Sequence, residues 1–480
     1  MAKSIKRNFL YNILLNISSV IFPLITAPYV SRVLEPDGVG LNNFASTYAG
    51  YFALVAVLGI PTYGVREVAK NKQDQTALTE LVSQLMSIAL ITTLSVSAVY
   101  LVTLFIIGQL TENLIIFLLA GFAIYLSPFK INWYYQGIEE FGFITLRSLV
   151  IKTLSVIAMF VFVREKNDLI IYIILGVLGG VVADIWNYTK MYKAGIKPHL
   201  TLKGLKQHIS PLFILFASSI AVSIYTVLDT IMLGFITDYK EVGFYSSAMH
   251  MSKVLLSAIT SLSIVAVPRV SSYLKNKEYE KINDLMNKSF SVVSFLAFPT
   301  AIGMACLSPF FVPLFFGEQF VGAVVPLMIL SMLIIAIGLN NLTGVQILIG
   351  MGLDKLFLYS VLTGTISNFL LNVFLIPSYG AVGASIASVF AEMLILGVTS
   401  YYVYKYTPVR INNIKDISKA IFGSLLFIPM IILLSSLFQG WILVFVFVIC
   451  GGSCFAAIEL ILKNNSAELF LSLIKNKLHY

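Results

Sequence analysis

Two lysines lie within long apolar segments of this chain, where a charged side chain is costly. Lys152 occurs in FITLRSLVIKTLSVIAMF, and Lys253 occurs in SSAMHMSKVLLSAIT, one helical turn after His250. A lysine at the centre of a membrane-spanning helix costs about 2.5–3.5 kcal/mol on insertion scales, so it is retained where it faces water, a partner or a ligand. Lysine binds phosphate groups through charge-assisted hydrogen bonds. These residues therefore predict a site for a phosphate or pyrophosphate within the membrane.

Small polar residues recur every three or four positions in several apolar segments. This spacing places them on one face of a helix, as expected for helices around a water-filled cavity. Packing between helices through small polar residues is the alternative. The stripes are Asn8, Asn12, Asn16, Ser19, Pro23 and Thr26; Asn43, Thr47 and Gly50; Thr145, Ser148, Lys152 and Ser155; Ser219, Ser223, Thr226 and Thr230; and Ser246, His250, Lys253, Ser257 and Thr260.

Acidic residues within the apolar segments are Asp184, Asp229 and Glu392. Asp184 falls near the cytoplasmic end of its segment, which leaves an interfacial position open. Asp229 is the stronger candidate for coupling to H⁺ or Na⁺, or for pairing with a basic residue. Because Arg147 adds a third basic residue well inside the segments, the basic residues there slightly outweigh the two acidic ones, Asp229 and Glu392. This balance favours an anionic substrate over an organic cation.

The elements that carry these residues are those of a membrane protein. Of the 480 residues, 58% are hydrophobic and 11% are charged, and the mean hydropathy is +0.90. Soluble proteins are about 25% charged, and a helix needs about 20 apolar residues to span a bilayer. We predict an all-α polytopic membrane protein with about fourteen transmembrane helices, at 8–30, 39–61, 80–107, 113–130, 141–163, 168–189, 208–235, 242–268, 288–314, 323–349, 356–377, 382–404, 416–438 and 440–462.

The distribution of basic residues predicts the orientation of these spans. Lys and Arg accumulate in cytoplasmic loops, and a cytoplasmic N-terminus leaves few of the 32 outside, namely Arg32, Arg164, Lys166 and Lys240. An even number of spans then places both termini in the cytoplasm. Contact with the anionic inner leaflet accounts for the net charge of +9 without nucleic acid.

A repeated turn predicts two lobes. The segments SRVLEPDGVGLNNFAS and LGFITDYKEVGFYSSAM follow the first and seventh spans, and both place Val-Gly after a short outer turn, with a weaker echo in IPSYGAVGASIAS. Parallel repeats of this kind are a known transporter architecture. We predict an N-lobe at 1–190 with spans 1–6, a cytoplasmic linker at 191–207, a C-lobe at 208–405 with spans 7–12, and a final region at 406–480 with spans 13 and 14 and an interfacial amphipathic tail.

Three segments carry a family resemblance: FLYNILLNISSVIFPLITAPYVSRVLEPDGVGLNNFA, LGIPTYGVREVAK and INWYYQGIEEFGFITLRSLVIK. They resemble the bacterial polysaccharide flippases for O-antigen or capsule repeat units, whose superfamily also contains multidrug exporters and lipid II flippases. The likeness covers most of spans 1–5, and YTVLDTIMLG and EVGFYSSA extend it in pattern to spans 7–12. The resemblance implies a flippase of the bacterial cell membrane. It would carry undecaprenyl-pyrophosphate-linked oligosaccharide to the outer leaflet by alternating access through a cationic cavity.

The resemblance also implies a role for INWYYQGIEEFGFIT, which forms the predicted turn between spans 4 and 5 on the cytoplasmic side. Trp133 and Gln136 suit contact with sugar at the cytoplasmic entrance. A position in the aromatic headgroup belt is the alternative for Trp133, Tyr134 and Tyr135. Lys130 lies one helical turn before Tyr134 and suits the pyrophosphate, and Arg147 is a further basic candidate for it.

The remaining charged residues of the resembling segments are candidates for gate contacts. Glu139 and Glu140 are expected to pair with basic residues of a facing loop when the inner gate closes. Arg32, Asp37 and Arg66 lie at predicted lobe ends, where gate contacts are expected too. Structural fixing of a turn is the alternative for these three residues.

Other function classes fit the sequence less well. An ion-coupled multidrug exporter and a lipid II-type flippase are the alternatives with the same architecture. A membrane glycosyltransferase or polymerase usually needs an acid/base pair on a sizeable outer loop, and a nucleotide-driven pump needs GxxxxGK[ST]; the sequence contains neither. No enzymatic activity, metal or cofactor is expected. The expected partners are the lipid-linked oligosaccharide, H⁺ or Na⁺, membrane lipids and polysaccharide polymerase machinery.

Overall fold

Every secondary-structure element in the described part of the chain is helical. The computed structural model describes residues 5–260 and 266–468, with the backbone alone at residues 5–6, 218–226 and 266. The helices form two compact units, which divide between Phe235 and Ile236.

The first unit contains ten described helices and two short 3₁₀ segments, Ser127–Phe129 and Lys166–Asp168. The helices are α1 Ile5–Val57, α2 Ile60–Asn71, α3 Gln75–Ile106, α4 Gly108–Thr111, α5 Leu114–Ala120, α6 Phe122–Tyr125, α7 Asn132–Gly137, α8 Phe141–Phe162, α9 Leu169–Lys193 and α10 Lys206–Ile236.

The second unit continues this all-helical pattern in its described residues. A 3₁₀ segment at Glu318–Ala323 and a π-helical segment at Asn341–Ile349 interrupt it. The helices are α11 Tyr239–Thr260, α12 Ala266–Lys275, α13 Tyr279–Phe316, α14 Val324–Leu330, α15 Leu333–Asn340, α16 Asp354–Tyr406, α17 Ile414–Leu425, α18 Phe427–Leu437 and α19 Gly440–Ile461.

The predicted fold class is confirmed. Within the described ranges, nine helices are long and apolar enough to cross a membrane, judged by length and composition. Two of these, the ones that contain α1 and α16, each include two predicted spans. The remaining predicted spans correspond to the shorter apolar helices Leu114–Phe129 and Val227–Ile236 and to α11.

Sharp bends divide α1 and α16 at the turns that the sequence predicted. Glu35 adopts φ 56° and ψ 175° directly before Pro36, and Gly380 adopts φ 50° and ψ −127° shortly after Pro377. Proline cannot continue the hydrogen-bond ladder of a helix, and a residue with positive φ redirects the chain. Positive φ strains a residue other than glycine, so Glu35 must be held by its surroundings.

Corresponding turns are joined within each unit. In the first unit, Lys166 Nζ donates to Glu35 Oε2 at 2.6 Å, which joins the turn after span 1 to the turn after span 5. In the second unit, Ala381 N donates to Glu241 Oε2 at 2.6 Å, which joins the turn after span 7 to the turn after span 11. The parallel supports a repeat of six helices. The lobe boundaries themselves stay a prediction.

The predicted linker at 191–207 is fastened to the polar face of α3. The bonds are Gln75 Nε2 to Ala194 O at 3.2 Å, His199 N to Ser83 Oγ at 3.1 Å, and Thr201 N to Ser87 Oγ at 3.0 Å. Directly after the linker, in α10, His208 Nε2 lies 2.7 Å from Gln84 Oε1. Because these bonds satisfy backbone and side-chain polar groups, the segment is an ordered strap between α9 and α10.

The helices after α16 are anchored to α13 by a buried carboxylate. Asp416 accepts hydrogen bonds from Ser291 Oγ and from Asn465 Nδ2, both at 2.9 Å. These contacts bring α13, α17 and the segment after α19 together. The predicted amphipathic tail lies for the most part at 469–480, outside the described residues.

Candidate functional site

The aromatic residues of the turn between spans 4 and 5 lie in the core of the first unit. Trp133, Tyr134 and Tyr135 are 5%, 3% and 1% exposed. Helix α2 packs closely on Trp133, because a Cβ atom on Gly64 would overlap the Trp133 ring. The headgroup-belt interpretation therefore does not hold for these residues. Gln136 is exposed, and the sugar contacts of Trp133 and Gln136 stay a prediction.

Both glutamates of this turn form ion pairs within the first unit. Glu139 Oε1 lies 3.0 Å from Lys72 Nζ in the turn between α2 and α3, and Glu140 Oε2 lies 3.0 Å from Lys190 Nζ near the end of α9. The Lys190 ammonium also lies 3.8 Å from the centroid of the Phe143 ring, a cation–π contact. Ion pairs exposed to solvent contribute about 0–1 kcal/mol. The gate function of the two glutamates stays a prediction.

Arg147 is buried in α8, with 4% of its surface exposed. Its guanidinium donates to Asn132 Oδ1 at 3.0 Å and to Asn187 Oδ1, while Tyr135 Oη donates to the backbone carbonyl of Asn187 at 2.5 Å. This network joins α7, α8 and α9. Arg147 Nε finds no hydrogen-bond partner in the described part of the chain. Its predicted contact with pyrophosphate is untested.

Lys152 joins α8 to α1. Its Nζ donates to Ser18 Oγ at 3.2 Å and to Ser19 Oγ at 3.1 Å. Two turns earlier on α8, Thr145 Oγ1 donates to the carbonyl of Tyr11 at 3.0 Å. The polar stripes of spans 1 and 5 therefore face each other. Lys152 forms no ion pair with any residue in the described ranges, so no carboxylate there compensates its charge.

A cavity of about 480 Å³ lies within the first unit, between α1, α5, α6, α8 and α9. Lys130 lines it and donates from Nζ to the carbonyl of Ala123 at 2.7 Å. Asp184 lines it too and is 8% exposed, within a helix that continues to Lys193. An interfacial position of this residue in the membrane stays a prediction. Further polar lining residues are Thr26, Asn42, Ser46, Ser155 and Tyr172.

Asp229 is buried in α10 of the first unit. It interacts electrostatically with Tyr51 of α1. A buried carboxylate beside a hydroxyl group is chemically suited to take up a proton or a small cation, but its predicted coupling role is untested. Three stripe residues of the same helix have side chains outside the described part of the structure: Ser219, Ser223 and Thr226.

The other predicted residues are mostly exposed. His250 and Lys253 lie one turn apart on the exposed face of α11 in the second unit, whereas Lys152 belongs to the first unit. Joint binding by the two lysines stays a prediction. The two residues beside the bend at Glu35 are Arg32 and Asp37, which are both exposed.

Arg66 is exposed on α2 and contacts its own helix. Its Nε lies 3.0 Å from Glu67 Oε1, and its guanidinium lies 5.3 Å from the Tyr63 ring centroid. Glu67 Oε1 also accepts a hydrogen bond from Lys70 at 2.8 Å. These contacts are local to α2, and a gate role for Arg66 stays a prediction, as it does for Arg32 and Asp37.

Sequence reasoning missed part of this arrangement. Asn187 is fully buried and holds Arg147, and Asn42 and Tyr172 line the cavity. One signal was available, because Asn187 follows Asp184 by three residues in an apolar segment and so lies on the same helix face. The contributions of Asn42 and Tyr172 depend on packing between distant helices, which the sequence did not specify.

The fold and the polar residues within the spans define a polytopic membrane protein of the transporter class. The family model for "Polysaccharide biosynthesis protein" matches residues 5–274, more than half of the chain. The chain belongs to this family.

Relatives agree with this assignment, and a solved structure has a similar fold. The chain is 24% identical to a proposed O-antigen transporter of Escherichia coli (strain K12), over 83% of this chain and 97% of that protein. It is 23% identical to the capsular polysaccharide biosynthesis protein CapF of Staphylococcus aureus, over 83% of this chain and 99% of CapF. Its fold resembles the lipid II flippase MurJ in an inward closed conformation, with a TM-score of 0.71, 17% identity, and coverage of 97% of this chain and 100% of MurJ.

Proposed function

We propose that this chain moves undecaprenyl-pyrophosphate-linked oligosaccharide repeat units from the inner to the outer leaflet of the bacterial cell membrane. The family match and the relatives described as transporters make it a flippase of the polysaccharide exporter superfamily rather than an enzyme. We further propose that the lipid carrier is undecaprenyl pyrophosphate, that transport runs outwards, and that both termini lie in the cytoplasm.

The uncompensated charge of Lys152 is the observation that carries the proposal. Its ammonium is held by two serine hydroxyls at a depth where charge is costly, and it has no acidic partner among the described residues. A pyrophosphate headgroup would supply the missing negative charge through charge-assisted hydrogen bonds. An organic cation would be repelled by the same group, which disfavours a multidrug exporter.

Transport against a gradient needs a source of free energy. We propose that Asp229 couples transport to the movement of H⁺ or Na⁺. The support is the burial of this carboxylate within an apolar helix, beside Tyr51. The likeness to the lipid II flippase is a likeness of fold. Cooperation with polysaccharide polymerase machinery is likewise a proposal.

The test is transport by purified protein in proteoliposomes that contain the lipid-linked repeat unit in the inner leaflet. Arrival of the glycan in the outer leaflet is measured by an impermeant glycosidase. We expect protein-dependent arrival that falls strongly with Lys152→Ala and stays normal with Lys203→Ala, a change at an exposed lysine of the strap. Equal rates in liposomes with and without protein would reject the proposal, as would preferential transport of a cationic dye.

A further inference from the structure

The cavity of the first unit contains a carboxylate whose hydrogen-bonding capacity is unused. Asp184 is 8% exposed and lines the cavity, and it accepts no hydrogen bond from any residue in the described ranges. An ionised carboxylate offers about four acceptor positions, and a buried polar group without partners is destabilising. A carboxylate in this state, aimed into a cavity, indicates a ligand that donates hydrogen bonds.

The rest of the lining supplies a mixed set of donors and acceptors. Lys130 donates, and the hydroxyl or amide groups of Thr26, Asn42, Ser155 and Tyr172 both donate and accept. Apolar side chains such as Met159 complete the walls. The volume of about 480 Å³ lies within the range of about 300–1,000 Å³ that is typical of small-molecule sites.

Charge restricts the class of ligand. Asp184 interacts electrostatically with both Lys130 and Arg147, so two cationic groups already compensate one carboxylate. An added cation would be repelled by both basic groups, while a phosphate would approach Asp184 against its negative charge. A neutral ligand with several hydroxyl groups can form hydrogen bonds with the Asp184 carboxylate, the Lys130 ammonium and the Asn42 amide at once. It carries no net charge that would have to be desolvated.

We propose that this cavity is a saccharide subsite, in which Asp184 and Lys130 bind hydroxyl groups of the glycan that the lipid carries. This inference rests on the proposed function. Ser155 lines the cavity and lies one helical turn beyond Lys152 on α8. If Lys152 holds the pyrophosphate, the first sugars of the attached glycan therefore lie beside the cavity.

Two variants test the subsite in different ways. Asp184→Asn keeps the shape of the side chain but removes its charge and half of its acceptor capacity. Gly180→Leu narrows the cavity by adding a side chain to its lining, and the helix tolerates it because a Cβ at Gly180 meets no atom within 4 Å. Gly397→Leu is the matched control, since Gly397 on α16 has equally open surroundings and is exposed.

The probes are the lipid-linked repeat unit purified from the producing cells and undecaprenyl pyrophosphate, which lacks the glycan. We expect the wild type to bind the repeat unit at least about 10-fold more tightly than the bare lipid, because each hydrogen bond to a charged group contributes a factor of roughly 10 or more. Asp184→Asn and Gly180→Leu should reduce this preference towards 1, with affinity for the bare lipid unchanged. Gly397→Leu should keep it.

Each other outcome overturns the inference in a recognisable way. If both cavity variants retain the preference, the glycan binds elsewhere. If both variants weaken the binding of the two lipids equally, Asp184 is a structural residue. If Na⁺ binding disappears in Asp184→Asn while the preference persists, the cavity is a cation site. If the wild type binds neither lipid, the proposed function itself has failed.

Discussion

Lys152 shows how a single ammonium group is retained within an apolar helix. Ser18 and Ser19 accept its hydrogen bonds at 3.2 and 3.1 Å, so its donors are partly satisfied without a carboxylate. Each such bond contributes roughly 0.5–1.5 kcal/mol, or about 1.5–3 kcal/mol when one partner is charged. The two serines therefore offset much of the insertion cost and leave the positive charge available to an anion.

At this scale we expect Lys152→Ala to weaken binding of undecaprenyl pyrophosphate by roughly 10–150-fold, the value of one charge-assisted hydrogen bond to a phosphate. Lys152→Arg should keep part of the affinity with altered geometry. Lys253→Ala and the double variant measure the contribution of the second unit. Binding to purified protein by calorimetry checks this. Wild-type affinity in folded Lys152→Ala and Lys253→Ala would exclude both lysines from the headgroup site.

A second residue-scale prediction concerns Asp229. Asp229→Asn preserves the size of this buried side chain and removes its titratable group. We expect ion-driven flipping to fall at least about 10-fold, which corresponds to a typical coupling free energy of about 1–3 kcal/mol. Binding of the lipid-linked substrate should survive. Transport is measured in proteoliposomes with an imposed H⁺ or Na⁺ gradient. An unaltered dependence on the gradient in this variant would make Asp229 a structural partner of Tyr51.

At the scale of elements, close helix contacts decide where the aromatic residues lie. Helix α2 approaches α7 until Gly64 touches the Trp133 ring, which leaves no room for a side chain. Small residues at such contacts let backbones approach and gain dispersion energy, the main source of helix association in lipid. The turn between spans 4 and 5 is therefore part of the core of the first unit.

We expect Gly64→Ala to destabilise the protein by about 1–3 kcal/mol, the usual cost of overpacking a core. The added methyl group would have to displace the Trp133 ring. The thermal unfolding temperature in detergent should fall relative to the wild type, whereas Gly397→Ala, with open surroundings, should leave it unchanged. Equal unfolding temperatures for the two variants would contradict the close contact.

The strap between α9 and α10 gives another element-scale prediction. Ser83→Ala together with Ser87→Ala removes the acceptors of two backbone N–H groups, those of His199 and Thr201. Each lost bond should destabilise the attached strap by about 1 kcal/mol. The state in which the strap is detached from α3, the open state, should therefore become roughly 10–30-fold more populated. Trypsin cleavage near Lys203 should accelerate by a similar factor, because cleavage follows the open population. The single change Ser95→Ala, at an exposed position of α3, serves as control.

On the scale of the whole molecule, the charge distribution of the loops predicts the orientation in the membrane. Cysteine introduced at Lys72 or Lys277 should react with an impermeant maleimide only from the cytoplasmic side, and cysteine at Lys240 only from outside. The free cysteines at 306, 450 and 454 are first replaced by serine. Labelling of position 277 from outside would overturn the predicted arrangement of fourteen spans.

Much of the architecture was predictable because local signals agree with the fold. Apolar length gave the spans, and Pro36, Pro377 and Gly380 marked the bends within continuous helices. The polar stripes of spans 1 and 5 were visible in the sequence, and the structure showed that they face each other. The burial of Asp184 was not predictable from its position, because it depends on how far α9 extends and on which helices surround it.

The sequence by itself determined the membrane as solvent, the all-helical fold class and the presence of costly charges within apolar segments, because each depends on the composition of individual segments. The tertiary structure alone decided which groups meet. Arg147 is held by Asn132 and Asn187, Trp133 is covered by α2, and Asp184 faces a cavity beside Lys130. These contacts join residues far apart in the chain, and their free energies depend on distances and burial that no single segment specifies.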